Sequence, residues 1–435
     1  MTMKFNERVP FSAVFSLRRG LNITRANYQE NGVPCLSYGD VHSRYLGFVD
    51  AAVHPLPKVS TDYLDSAPQC LLKAGEFVFA DTSEDYEGAG NCTCVLNESD
   101  GLFAGYHTTV ASPVRKEICS RYYGYYFLSE DFRNQICKAI SGIKVFSITN
   151  SILNATRLLF PNLKTQENIA NFLDKKLNYI DTLIEQKREE SKKLSEYRQS
   201  LITQVVTKGL NTNVEMKDSG VPWWGIIPTH WHVEKLGFFA QTKSGTTPSS
   251  SNRSYYEDGI HNWVRTTDLN LGEITDTPVK LTELALKETA CQYVPKDSVL
   301  IAMYGGAGTV GKYGLLQVES TLNQAVCAIF PNSKVLPKYL FYQAAAFRKY
   351  WMVYALSTRK DPNISQEDIQ RWKVFIPPLK EQNDIIKYLD KKVSEIDTIS
   401  TLTQQAIELL TEYRSSLISA AVTGELNIEE VTHGE

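Results

Sequence analysis

Three short stretches carry residue types at spacings that chemistry uses, and each falls short of a working site. "YGGAGTVGKYG" at 304–314 sets Gly306 and Gly311-Lys312 at the spacing of a phosphate-binding loop. The next residue is Tyr313 rather than the Ser or Thr that would ligate Mg²⁺. "YGLLQVES" then reads as a strand rather than the helix whose N-terminus would hold phosphate. A glycine-rich hairpin is the expectation. "DPNI" at 361–364 has the acid-proline start of an amino-methyltransferase motif but lacks the second proline and the aromatic that would stack on a flipped adenine. Cys92-Thr-Cys94 is the one close pair among eight cysteines, without a second pair or a His-x3–5-His to complete a zinc tetrahedron. The seven histidines are dispersed and nominate no Ser/His/Asp set. The chain is therefore expected to be noncatalytic and to hold no metal.

What must position any functional residue is set first by size. At 435 residues and 43% hydrophobic content, two or three cored domains are expected, and a charged fraction of 22% without long polar tracts excludes intrinsic disorder. A net charge of −3 gives no global argument for nucleic acid, so any such binding must rest on local patches. The N-terminus lacks the apolar core of a signal peptide, and no stretch approaches about 18 uncharged apolar residues. A cytoplasmic protein is expected, its scattered cysteines serving as small buried hydrophobes in a reducing compartment.

The dominant feature is a repeat. "PNLKTQENIANFLDKKLNYIDT" from Pro161 returns as "PLKEQNDIIKYLDKKVSEIDT" near Pro377, at an offset of 216 that holds without a gap to Asn211 and Asn427. Gln166/Gln382, "LDKK", "IDT", "EYR" and "SLI" recur in register. Apolar residues at three- and four-residue spacing predict a long helix in each copy. The seam is assigned to Ile169, Leu173, Ile180, Leu194, Tyr197 and Leu201 in the first, and to Ile385, Leu389, Ile396, Leu410, Tyr413 and Leu417 in the second. Helices this long need a partner, so each is expected to pack on its twin.

A fainter repeat surrounds the helices. "YQENGVPCLSYGDV" at 28–41 matches "YEDGIHNWVRTTDL" at 256–269, pairing Tyr28 with Tyr256 and Asp40 with Asp268. "KAGEFVFA" at 73–80 matches "KDSVLIAM" at 296–303, both reading as a turn into a buried strand. "RYYGYYFLSEDFRNQ" at 121–135 is laid on "PKYLFYQAAAFRKYW" at 337–351, which makes the tyrosine run a packed helix rather than a base-stacking platform. "FSITNSIL" at 146–153 matches "PNISQEDI" at 362–369, where Ser-x-x-Asp predicts a capped short helix. The drift in offset from 228 to 216 places insertions in the first copy, expected around Asp81–Gly105. The plan is a variable domain at 1–160, a helix at 161–211, a variable domain at 212–376, a helix at 377–427 and a tail at 428–435. The fold class is α+β: two α/β domains separated by two long antiparallel helices forming a coiled coil, in a pseudo-twofold internal repeat.

These residues resemble the specificity subunit of type I DNA restriction-modification systems. The resemblance is carried by "IPPLKEQNDIIKYLDKKVSEID", "YRSSLISAAVTGELNI", their central copies and "GVPWWGIIPTHWHVEKLG" at 220–237. Two departures are Thr165-Gln166-Glu167 where the second copy has Glu381-Gln382, and "TKGLN" at 207–211 in place of the "TGxLN" pattern seen at 423–427. The resemblance implies two target-recognition domains reading an asymmetric bipartite site on double-stranded DNA. Methyltransferase (modification) subunits would dock on the helices and methylate adenine with S-adenosylmethionine. A restriction endonuclease/translocase subunit would use ATP and Mg. No cofactor would be bound by this chain, and no membrane would be involved.

Under that resemblance the candidate DNA contacts are basic and polar residues in loops. In the first domain they are Arg18, Arg19, Arg25, His42 and Arg44. In the second they are Lys243, Thr246, Arg253, Arg265, Thr267, Lys312, Arg359 and Lys360. Arg and Lys suit phosphates or guanine, and Thr and His offer adaptable base contacts. The competing reading is a coiled-coil assembly adaptor whose end domains bind proteins.

Overall fold

The computed structural model describes residues 7–428 except 87, 100, 141–145, 307 and 357–362; the side chains of 352–354 and 356 are also outside the described set. Two compact units result, Met1–Arg188 with Gln405–Glu435, and Glu189–Gln404. The units divide both long helices, Leu163–Lys208 and Leu379–Thr423, so each unit owns half of each helix.

Each unit is built on a five-stranded sheet with the same order and senses. In the first, Phe15–Arg19, Thr108–Pro113, Phe77–Ala80, Cys92–Asn97 and Gly47–Asp50 lie side by side, antiparallel except for the last pair. The second repeats this with Thr242–Ser244, Val326–Ile329, Val299–Ala302, Tyr313–Leu316 and Glu273–Ile274. The central strands "FVFA" and "VLIA" are buried on both faces, which is why they read as unbroken apolar runs rather than alternating ones. A three-stranded sheet accompanies each, centred on Val33–Leu36 and on His261–Val264, with one antiparallel and one parallel neighbour.

The tyrosine run forms the helix Ser120–Leu128, with Tyr122, Tyr123, Tyr125 and Tyr126 buried. Gly124 is required by close approach, since a Cβ there would lie 2.6 Å from the Phe48 ring. Tyr122 donates to the Val422 carbonyl at 3.0 Å and Tyr125 to Asp174 at 2.6 Å. In the helix Pro337–Leu356, Tyr339 donates to the Val206 carbonyl and Tyr342 to Asp390. The matched pairs are therefore Tyr122/Tyr339 and Tyr125/Tyr342, one residue out from the sequence alignment. A second mark of that register is Gln166, wholly buried, whose amide donates to the Glu117 and Pro161 carbonyls while its oxygen accepts from the Cys119 amide. Gln382 makes the same three bonds with Lys334, Pro377 and Leu336.

The two helices run antiparallel within each unit. In the first, the helix Ser120–Leu128 ties Asp174 and Val422 together, and Asp181 meets Arg414 at 2.7 Å. In the second, Val206 and Asp390 are tied by the helix Pro337–Leu356, and Arg198 meets Asp397 at 2.8 Å. Of the assigned seam, Ile169, Leu173, Ile180, Leu201, Ile385, Leu389, Ile396 and Leu417 are buried, and Leu194 and Leu410 pack at the core edges. Tyr197 and Tyr413 do not belong to it: they are 57% and 56% exposed. The buried stripe at that level passes through Leu201, Ile202, Val205 and Val206 and their counterparts, so a three-residue step from Leu194 to Tyr197 follows the wrong side of the helix. The "TKGLN" departure also has a physical reading. Gly209 at φ +71° and Gly424 at φ +76° each end a helix in the left-handed conformation, so moving the glycine by one lets the first helix run one residue longer, 46 against 45.

Matched hydrogen bonds also relocate the insertions. The offset is 228 at Asp40/Asp268, 225 at Phe48/Glu273, 222 across the central strands and 218 at Ala111/Ile329. Half of the drift thus arises between Asp40 and Phe77, ahead of the expected Asp81–Gly105 segment. Ser365 and Asp368 form the expected capping box, matched by the Thr149 cap of Asn150–Ala155.

Candidate nucleic-acid interface

In the first unit the strand Val33–Leu36 runs into a short helix, Tyr38–Ser43, because Ser37 and Asp40 close a capping box. A cleft of about 780 Å³ opens beside it, lined by Arg25, Tyr28, Tyr38, His42, Arg44 and Tyr106 among others. Arg25 is exposed on the turn Arg25–Asn27, and its Nε donates to the Tyr106 hydroxyl at 2.9 Å. Tyr106 is packed between the rings of Tyr28 and Tyr38. His42 bonds the Ser83 hydroxyl at 3.0 Å and lies 3.6 Å from Asp85. Burial pushes the Asp40 carboxyl above its usual pKa, a shift that the Ser37 amide and Arg44 only partly offset.

Arg18 and Arg19 are neighbours with different fates. Arg19 is exposed at the end of its strand. Arg18 is drawn inward onto Glu76, with Nη2 at 2.6 Å from the carboxylate and further bonds to the Gln69 and Leu71 carbonyls. Burial alone would raise the Glu76 carboxyl, but bonds from Arg18, Ser112 and the Lys73 amide hold it below the usual glutamate range. Arg18 is thus an internal ion-pair partner rather than a surface cation.

In the second unit Arg253 occupies the place of Arg25, exposed on the turn Arg253–Tyr255. Asp268 accepts from the Arg265 amide at 2.9 Å, as Asp40 accepts from Ser37, and also grips the Arg265 side chain. Thr267 is exposed and donates to Asp268 at 3.4 Å. Lys243 bonds Gln292, while the Thr246 carbonyl accepts from the Trp263 indole. Lys312 ends a glycine-rich turn and is followed by the buried strand Tyr313–Leu316 rather than by a helix. Arg359 and Lys360 lie outside the described residues, as do Asp361 and Pro362 of "DPNI".

The family described as type I restriction modification DNA specificity domain matches this chain over residues 7–193 and again over 228–409. The chain belongs to that family. Among curated relatives, the type I restriction enzyme EcoKI specificity subunit of Escherichia coli strain K12 is 23% identical over 346 residues, covering 76% of this chain and 70% of the relative. The putative MjaX specificity subunit of Methanocaldococcus jannaschii is 22% identical over 363 residues, covering 82% and 80%. A chain solved in work on assembly and conformational transition of the type I R-M system matches with a TM-score of 0.74 at 17% identity, over 97% of this chain and 98% of that one. The HsdS subunit from Thermoanaerobacter tengcongensis matches with a TM-score of 0.52 at 17% identity, over 97% of both. The fold of this specificity subunit is therefore the fold of those chains. No helix among the described residues is long and apolar enough to cross a membrane.

Sequence reasoning missed the place of Tyr106 in this cleft and the arginines that the two aspartates hold. Asp40 and Asp268 were legible as a matched pair. Their cation partners were not, because Arg44 and Arg265 sit on opposite sides of them in the chain.

Proposed function

We propose that the two units each read half of a split DNA site and that the chain directs adenine methylation and restriction by partner subunits without chemistry of its own. The observation that carries this is the duplicated domain: the same strands and caps recur, while the polar side chains displayed beside the caps differ. Residues common to both units, Arg25 and Arg253, suit phosphate contacts that fix register, and the differing residues suit base readout. In this reading S-adenosylmethionine binds the modification subunit, ATP and Mg serve the restriction subunit, and the complex works in the cytoplasm. The exposed faces of the long helices, including Tyr197 and Tyr413, are the surfaces offered to the modification subunits.

The test is to map methylated adenine genome-wide in a host lacking its own type I system, with the cognate modification subunit alone and together with this chain. A split motif that arises only with the chain is the expected result. A stable complex with an active methyltransferase and no new motif overturns the reading in favour of an assembly adaptor.

A further inference from the structure

The aspartate at the matched cap holds a different arginine in each unit. Asp40 accepts from the Ser37 amide at 3.1 Å through one oxygen, and its other oxygen lies 3.4 Å from Nη1 of Arg44. Asp268 accepts from the Arg265 amide at 2.9 Å and holds Nε and Nη2 of the same residue at 3.2 and 3.3 Å. Both aspartate side chains are nearly buried, at 9% and 8%, whereas Arg44 is 56% and Arg265 33% exposed. A fixed anion thus presents a surface guanidinium in each unit. The arginine comes from after the aspartate in one unit and from before it in the other.

Stability does not account for this arrangement, since pairs with so exposed a cation contribute little. Positioning does. A guanidinium gripped at one edge loses less freedom when its remaining donors engage a ligand, and those donors match O6 and N7 of guanine. Arg44 gives one of its donors to Asp40, and Arg265 gives two side-chain donors to Asp268. A phosphate is the other ligand that Arg44 could take, and a lysine in its place would keep that contact. Arg44 also falls in the stretch between Asp40 and Phe48 that is three residues longer than its counterpart, a place where the shared frame has been altered without disturbing the sheet.

We propose that Arg44 and Arg265 are the guanine-reading residues of the two half-sites, one per unit, each positioned by its matched aspartate. This rests on the DNA-recognition reading above. The experiment repeats the methylated-adenine map with the full chain carrying Arg44→Ala, Arg44→Lys, Arg265→Ala, Arg265→Lys or Asp40→Asn, each checked for assembly with the modification subunit. Arg44→Ala should lower the preference for guanine at one position of one half-site by about tenfold or more, leaving the other half and the spacer unchanged. Arg265→Ala should do the same in the opposite half. Both lysine variants should also be relaxed, because an ammonium has no planar fork to pair with the aspartate at one edge and with guanine at the other, and Asp40→Asn should loosen the same base as Arg44→Ala.

Unchanged base preferences overturn the proposal, as do effects confined to one half-site for both arginines. If an alanine variant abolishes methylation in an assembled complex, the lysine variant decides: full activity on the original motif marks a phosphate contact and sinks the proposal, and a relaxed motif upholds it. Absence of any split motif with the unaltered chain removes the recognition reading itself, and this proposal with it.

Discussion

In the first unit Tyr122 reaches across to the Val422 carbonyl of the second long helix, and in the second unit Tyr339 reaches the Val206 carbonyl of the first. Gln166 and Gln382 close the same three-bond clamp, and Asp40 and Asp268 cap the same strand exit. The skeletons therefore agree down to single hydrogen bonds. What differs is the cargo: the first unit sets Tyr38, Tyr106 and a short helix followed by Arg44 beside its cap, where the second sets Thr267 and an arginine within the cap itself. Buried polar groups tolerate no change without loss of partners, while exposed ones do, so duplication followed by drift leaves this pattern.

The strongest way to break the comparison is to remove the clamps. Gln166→Ala and Gln382→Ala each strand a buried amide N–H and two carbonyls, a cost of about 3 kcal/mol in either unit. Thermal and urea unfolding should show losses of similar size for the two variants. A large loss for one and a negligible one for the other would mean that the shared geometry carries unequal weight.

Next in size is a place where the units differ. Arg18 and Lys243 stand at matched strand positions, but only Arg18 has a buried carboxylate beneath it. Arg18→Met should destabilise by about 2–3 kcal/mol because Glu76 is left without its cation. Lys243→Met should stay within about 0.5 kcal/mol. The acid limb adds a sign. The folded-state pKa of Glu76 is lowered, so its stabilisation is complete above the unfolded value of about 4.3 and is lost as pH falls through the folded value. The gap between Arg18→Met and the unaltered chain should therefore be widest near neutrality and narrow below about pH 4.

Smaller again is the effect of the cations that both units keep. Arg25→Ala and Arg253→Ala should each weaken binding to cognate and unrelated duplexes alike and reduce the slope of log affinity against log salt by about 1. A change in base preference instead of in slope would move those residues from the frame to the readout.

How much of this was legible in the sequence depends on how a residue is held. The long helices, the Ser365 cap and the Asp40/Asp268 match follow from local spacing and could be read directly. The one-residue slip at Tyr122/Tyr339 could not, because "RYYGYY" offers tyrosines at adjacent positions and only the hydroxyl partners on the far helix choose among them. Tyr197 and Tyr413 show the same limit: both fit a three- or four-residue step, yet long helices carry more apolar positions than one seam can bury. Arg18 and Arg19 read as equals, and Glu76, 58 residues away, separates them.

The finest test concerns the helices themselves. Asp181 pairs with Arg414 and Asp397 with Arg198, and since Asp181/Asp397 and Arg198/Arg414 are matched repeat positions, this is one ion pair made twice with the helices exchanging roles. The carboxylates are about half exposed and the guanidinium groups about a third or less, so each pair should contribute only about 0.2–1 kcal/mol. Its larger use is register, because a slip of one helical turn would set each arginine away from its carboxylate. Asp181→Arg alone should cost up to about 1 kcal/mol by opposing two like charges, and adding Arg414→Asp should restore most of it. The same cycle at Asp397 and Arg198 should return an equal coupling, and both couplings should shrink in 1 M salt. Equal couplings support a seam whose register is set the same way in both units, and a coupling in one unit alone would mean that one copy has passed that role to the packing around it.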